Sequence, residues 1–86
     1  MIYHKDGYKF VAPSNTENKK YDIYDKDDKK LASFGDKRYQ QYIDKIGHYK
    51  HLNHYDKQRR KNYRTRHAKD IDNYPHAGYF SARYLW

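Results

Sequence analysis

Lys20-Tyr21-Asp22-Ile23-Tyr24-Asp25-Lys26-Asp27-Asp28-Lys29-Lys30-Leu31-Ala32-Ser33-Phe34-Gly35 decides the fold class. Lys20 to Tyr24 alternates polar and apolar residues, the pattern of a strand with one face toward a core. Asp25-Lys26-Asp27-Asp28 reads as a turn, because short carboxylate side chains bond the neighbouring backbone. Lys29 to Phe34 then reads as another strand, ended by Gly35. Leu31 and Phe34 fall on opposite sides of a regular strand, so which sheet face is buried stays open. Upstream, Tyr8 to Ala12 is a strand stopped by Pro13 and the polar turn Ser14 to Asn18. These pieces make a three-stranded antiparallel meander. Residues 1–7 are polar around Ile2 and Tyr3 and read as a loose arm, which leaves 8–86 as a single small basic domain.

Downstream the period changes from 2 to 3.6. Asp36 is placed to cap a helix running to Ile46, with Tyr39, Tyr42, Ile43 and Ile46 as a core-facing stripe and Gly47 just past its end. Asn53 to His67 is a second helix, with Asn53 as cap, Asp56 at the positive dipole end, and Arg66 and His67 at the negative end. Tyr55, Arg59, Tyr63 and His67 recur every four residues and form its expected inner stripe, where Arg59 needs a carboxylate partner. Lys57, Arg60, Lys61 and Arg64 lie on the other side. Lys69 to Pro75 is a loop. The tail from Ala77 to Trp86 is dense in aromatics, which predicts a helical turn or strand docked on the core, with Phe80 and Tyr84 on one side and Trp86 docked against the domain; a tail exposed as a plug for another subunit is the alternative. The expected architecture is α+β: a small single domain with the meander followed by two or three short helices.

Composition narrows what such a domain does. Leu, Ile, Val and Phe supply only 12 of 86 residues, so the core is thin, and 12 tyrosines must help to build it. The net charge of +8 favours polyanionic partners such as nucleic acid or an acidic protein surface. With no cysteine there is neither a disulfide framework nor a thiolate metal site. No apolar run has the length of a signal peptide core or a membrane span, so the expectation is a protein without membrane contact or visible leader.

Three pieces recur in order: Ser33-Phe34-Gly35-Asp36, Arg59-Arg60-x-x-Tyr63-x-x-Arg66-His67, and Tyr79-Phe80-Ser81-x-x-Tyr84-Leu85-Trp86. Together they resemble a family of small uncharacterised proteins of giant and algal large DNA viruses, with shorter relatives in tailed phages. The resemblance spans about Lys9 to Trp86. It singles out Phe34, Gly35, Asp36, Tyr63, His67, Phe80, Tyr84 and Trp86 as structural positions. The phage-type relatives carry cysteines near the positions of Ala68 and of Ala82 or Arg83, so no thiol role transfers to this chain. What the resemblance implies is context: a viral protein in the virion or the infected-cell interior, serving as a structural or packaging component. A free nucleic-acid-binding regulator of the infected cell is the alternative.

Function must otherwise come from the residues. Lys57, Arg60, Lys61 and Arg64, with Arg66 and Lys69 beyond, spread cations along about 18 Å of helix. They can meet several phosphates non-specifically, meet an acidic groove of another virion protein, or simply be solvated. Tyr55 and Tyr63 add rings able to stack on bases. His48, His51 and His54 recur every three residues near His67, but lie in a linker without the convergence that zinc needs, so no metal is expected. Counted as a calcium loop from Asp25, position 6 is Lys30 instead of glycine. Ser14, Ser33 and Ser81 sit in no nucleophile elbow, and a chain of this length leaves little room for a substrate pocket. The expectation is no enzyme, no cofactor and no small-molecule substrate.

Overall fold

The computed structural model describes residues 1–86. Its four strands, β1 (Ile2–Lys5), β2 (Tyr8–Val11), β3 (Lys19–Tyr24) and β4 (Lys30–Asp36), form one antiparallel sheet in chain order. A 3₁₀ turn at Lys50–Leu52 and two helices follow, α1 (Lys57–Arg66) and α2 (Ala77–Tyr84). The α+β class is as expected, with one strand more. That strand corrects the reading of residues 1–7 as a loose arm. Asp6 and Gly7 have φ of 56° and 82°, the left-handed geometry of a two-residue hairpin turn whose twist suits its strands. Tyr3 pairs with Phe10 and its hydroxyl meets His48 Nδ1 at 2.8 Å.

The β3–β4 turn forms at Asp25, whose carboxylate accepts from the amides of Asp27 and Lys29, each at 2.9 Å. The ladder then shifts register: Ile23 faces Ala32, whereas Tyr24 faces Lys30. Leu31 is the extra residue of this bulge, so it is released from the parity of a regular strand. It packs at the margin of the same core that buries Phe34. The conflict between Leu31 and Phe34 is resolved by the bulge.

The buried face carries Phe10, Tyr21, Ile23 and Phe34, against which α2 lays Phe80, Tyr84 and Leu85. The core is mostly rings meeting at their preferred angles. Phe10 is edge-on to Tyr84 at 4.9 Å, and Tyr21 is stacked on Phe34 at 5.5 Å. This docked α2 is the helical form of the two expected for the tail. The other face of β3 is also covered, so its polar residues are buried. Asp22 is fully buried and accepts from Ser14 Oγ, from Ser33 Oγ at 2.6 Å and from the Asn15 amide at 3.0 Å. Burial pushes its carboxyl upward, but these donors and the Lys30 ammonium prevail and hold it below the usual carboxylate range.

The helix expected from Asp36 to Ile46 does not form. Asp44, 2% exposed, gathers the chain around itself instead. It accepts from the Ile46, Gly47 and Tyr49 amides at 2.9, 3.0 and 2.7 Å and from the Tyr21 hydroxyl at 2.5 Å. A side chain that offers the backbone such bonds competes directly with the helical ladder. The Ile43 and Lys45 amides are used elsewhere, on the Leu85 and Tyr84 carbonyls at 3.1 and 3.0 Å, where α2 ends and has no intrahelical donor for them. Tyr39 is consequently 65% exposed, and the buried residues of the segment are Gln41 and Asp44. Asp36 caps no helix; it chelates Arg38, with Nε and Nη2 at 3.0 and 2.8 Å. That hydrogen-bonded guanidinium holds the Asp36 carboxyl down at about 2.

α1 starts later than expected. Asp56, not Asn53, is its cap, accepting from the Gln58 and Arg59 amides. Asn53 is occupied in the loop: its Oδ1 accepts from Gln41 Nε2 at 2.6 Å and from the Asp44 amide at 2.7 Å. Tyr55 lies outside the helix, 62% exposed. No helix is long and apolar enough to cross a membrane.

Candidate functional site

The inner stripe of α1 is Arg60, Tyr63, Arg64 and His67, spaced i, i+3, i+4, i+7, one step around from the stripe expected. Its destination explains its composition. The end of α2 presents carbonyl oxygens at the negative pole of a helix, which cationic donors satisfy. Arg60 Nε donates to the Trp86 carbonyl at 2.5 Å, and Arg64 donates to the Trp86 and Ala82 carbonyls at 3.3 and 3.1 Å. Tyr63 lies parallel to Trp86 at 4.2 Å and bonds Ser81 Oγ at 3.0 Å. His67 covers Tyr63 at 4.3 Å and stands 3.6 Å from the Asp70 carboxylate. Burial pushes the Tyr63 hydroxyl pKa up, against the opposing hydrogen bond with Ser81. Two corrections follow. Arg60 and Arg64 are tethers within the fold, not cations of a free face. Tyr63 has both ring faces occupied and cannot stack on a base.

Lys57, Lys61, Arg66 and Lys69 remain exposed, and none is paired with a carboxylate. Lys57 and Lys61 lie along one edge of α1. Arg59 and Arg66 lie along the other, where Arg59 finds the Gln40 side-chain oxygen at 3.0 Å in place of the carboxylate expected for it.

The Arg59–Arg66 edge borders a cleft of about 660 Å³ between α1, α2 and residues 35–40. Sequence length argued against such a pocket; it exists because it lies between elements, outside the aromatic core. Lys19, Lys20, Arg59 and Arg66 line it, opposed by Asp36 and Asp70, with His67, His76, Tyr39, Tyr63 and Trp86 also in its wall. Lys20 is 1% exposed and donates to the Tyr39 carbonyl at 3.0 Å and to Gln41 Oε1 at 2.5 Å. Burial lowers its ammonium pKa to about 8, against the attraction of Asp44 and Asp36. Gly78 keeps the wall thin, since a Cβ there would lie 2.6 Å from Asp70 Cβ.

Of the expected structural residues, Phe34, Phe80 and Tyr84 are in the core, and Gly35, Asp36, Tyr63, His67 and Trp86 line the cleft. The residues that sequence reasoning missed are Lys19, Lys20, Tyr39, Asp70, His76 and Gly78. They come from four stretches of chain with no shared motif, so only the fold assembles them. His48 and His54 are taken up in packing, on Tyr3 and against Trp86 at 5.2 Å, and no three histidines or carboxylates converge on one point. Set against family models, curated proteins and solved structures, the chain matches none.

Proposed function

We propose that this chain is a non-enzymatic polyanion-binding module that contacts nucleic-acid phosphates without base specificity. Following the family resemblance, its setting is the virion, as a structural or packaging component. The observation that carries the reading is the set of exposed, unpaired cations Lys57, Lys61, Arg66 and Lys69 on and just beyond one helix. Unpaired surface cations displace counterions from a phosphate backbone, and this term supplies most non-specific affinity. An acidic surface of another virion protein would meet the same cations.

The test separates free cations from tethering ones. Lys57→Gln with Lys61→Gln is expected to leave the melting temperature in place. It should flatten the log-log salt dependence of duplex DNA binding by about 0.9 for each phosphate that the variant no longer neutralises. Arg64→Gln, by contrast, breaks donors to α2 and is expected to lower stability by about 1–3 kcal/mol. An unchanged salt slope in the folded lysine variant would assign this face to solvent. Fixed stoichiometry in purified virions would support the packaging role, and absence from virions would favour a free regulator in the infected cell.

A further inference from the structure

We propose that the cleft between α1, α2 and residues 35–40 is a nucleotide site: Arg59, Arg66 and Lys19 hold a phosphate, and a base lies against Tyr39 at the rim. The proposal rests on the polyanion reading and extends it from an open face to a shaped site. A volume of about 660 Å³ falls in the range that encloses a small ligand. Its charge selects an anion. Four cations line it against two carboxylates, and one of the two, Asp36, is already neutralised by Arg38 at 2.8 Å.

The donors are available as well as present. Arg66 has no carboxylate partner, and Arg59 spends one N–H on Gln40, leaving most of its fork free. Lys20 stands behind the wall, 1% exposed and bonded to the Tyr39 and Gln41 oxygens, so it adds to the positive field of the cleft while Lys19, Arg59 and Arg66 supply the donors. α2 begins in the wall at Ala77 with no side-chain cap. Tyr39, 65% exposed and in the lining, supplies an aromatic surface of the kind that bases stack on.

The shared chemistry is a nucleotide phosphate, which a free mononucleotide or the end of a nucleic-acid strand both carry. Trp86 lines the cleft and is the chain's single tryptophan, so its emission reports occupancy. The full chain would be titrated with adenosine 5′-monophosphate, inorganic phosphate, and a thymidine oligonucleotide with and without a 5′-phosphate. A saturable change in Trp86 emission is expected, weakened about tenfold or more in Arg59→Gln/Arg66→Gln, which removes two charged hydrogen-bond donors. Lys57→Gln/Lys61→Gln is expected to retain cleft binding even where it loses duplex affinity, which keeps this result separate from the test of the open face. Saturation by the mononucleotide assigns a free ligand, and a response confined to the 5′-phosphorylated oligonucleotide assigns a strand end. No saturable response from any probe overturns the proposal. So does a response equal for inorganic phosphate and nucleotide, or one unchanged in a folded Arg59→Gln/Arg66→Gln variant.

Discussion

Asp44→Ala is expected to yield a chain without a cooperative thermal transition. The wild-type carboxylate is 2% exposed and receives the Tyr21 hydroxyl and the Ile46, Gly47 and Tyr49 amides. Alanine leaves all four donors without their acceptor, the Tyr21 hydroxyl and the Tyr49 amide in buried surroundings and the Ile46 and Gly47 amides in half-buried ones. Each buried donor left unsatisfied costs about 1–3 kcal/mol, against a total stability of about 5–15 kcal/mol for a typical domain. The thin core of this chain puts it toward the low end of that range. Asp44→Asn keeps the shape but replaces one acceptor oxygen with a donor, so it is expected to fold with a lowered melting temperature. Circular dichroism on heating checks both. An alanine variant that melts at the wild-type temperature would show that the segment holds its path without the carboxylate.

The second large effect follows from buried tyrosines and one buried lysine. Lys20 is held at about 8 against 10.5 in the unfolded chain, first by desolvation. Between those values the unfolded state binds more protons, so stability rises with pH. Tyrosines run the other way. Desolvation, first among the causes, raises Tyr8 and Tyr84 to about 12, and burial with the Asp44 hydrogen bond raises Tyr21 further still. Their folded pKa values exceed the unfolded 10.0. Their stabilising contribution is therefore complete below that value and is lost as pH climbs through the folded one. Fully buried Tyr21 and Tyr84 each remove about 1.4 kcal/mol per pH unit once the unfolded residue ionises. Stability is expected to climb modestly from about pH 8, peak near pH 10 and collapse above it. Urea midpoints on both sides of pH 10 measure this; a midpoint that holds steady well above pH 10 would place these hydroxyls in water.

The residues that made the strands legible were those whose local chemistry and final environment agree. The Asp25 turn is one, because a carboxylate accepting from amides two and four residues ahead needs nothing from the rest of the chain. The docking of Phe80 and Tyr84 is another, since rings in a chain short of aliphatics have few other places to go. The Asp6-Gly7 turn was legible in principle as a hairpin dipeptide, but Ile2 and Tyr3 gave too little apolar pattern to outweigh the polar residues around them. Tyr39, Tyr42, Ile43 and Ile46 misled for a deeper reason. Their spacing is helical, but the energetics of that segment lie in Gln41 and Asp44 between them. Asp44 takes the nearby Ile46, Gly47 and Tyr49 amides and is fixed in place by Tyr21, as Gln41 is by Lys20 and Asn53, all distant in sequence. Arg60 and Arg64 misled likewise: their acceptors are carbonyls of another helix, and no window of sequence around α1 contains them. The cleft was invisible for the same cause, as its cations converge only after the sheet and both helices have packed.

α1 contains no buried residue, and its hold on the domain is Arg60 and Arg64 on carbonyl oxygens, Arg59 on Gln40, and Tyr63 stacked on Trp86 and bonded to Ser81. Such a helix is a separate unit of opening. Under native conditions, the amides of Lys57–Arg66 should exchange with solvent deuterium through a local detachment that leaves the sheet and α2 intact. Those of β3, covered on both faces, should wait for global unfolding. The element carrying the free cations is thus the one whose release leaves the aromatic core between the sheet and α2 in place.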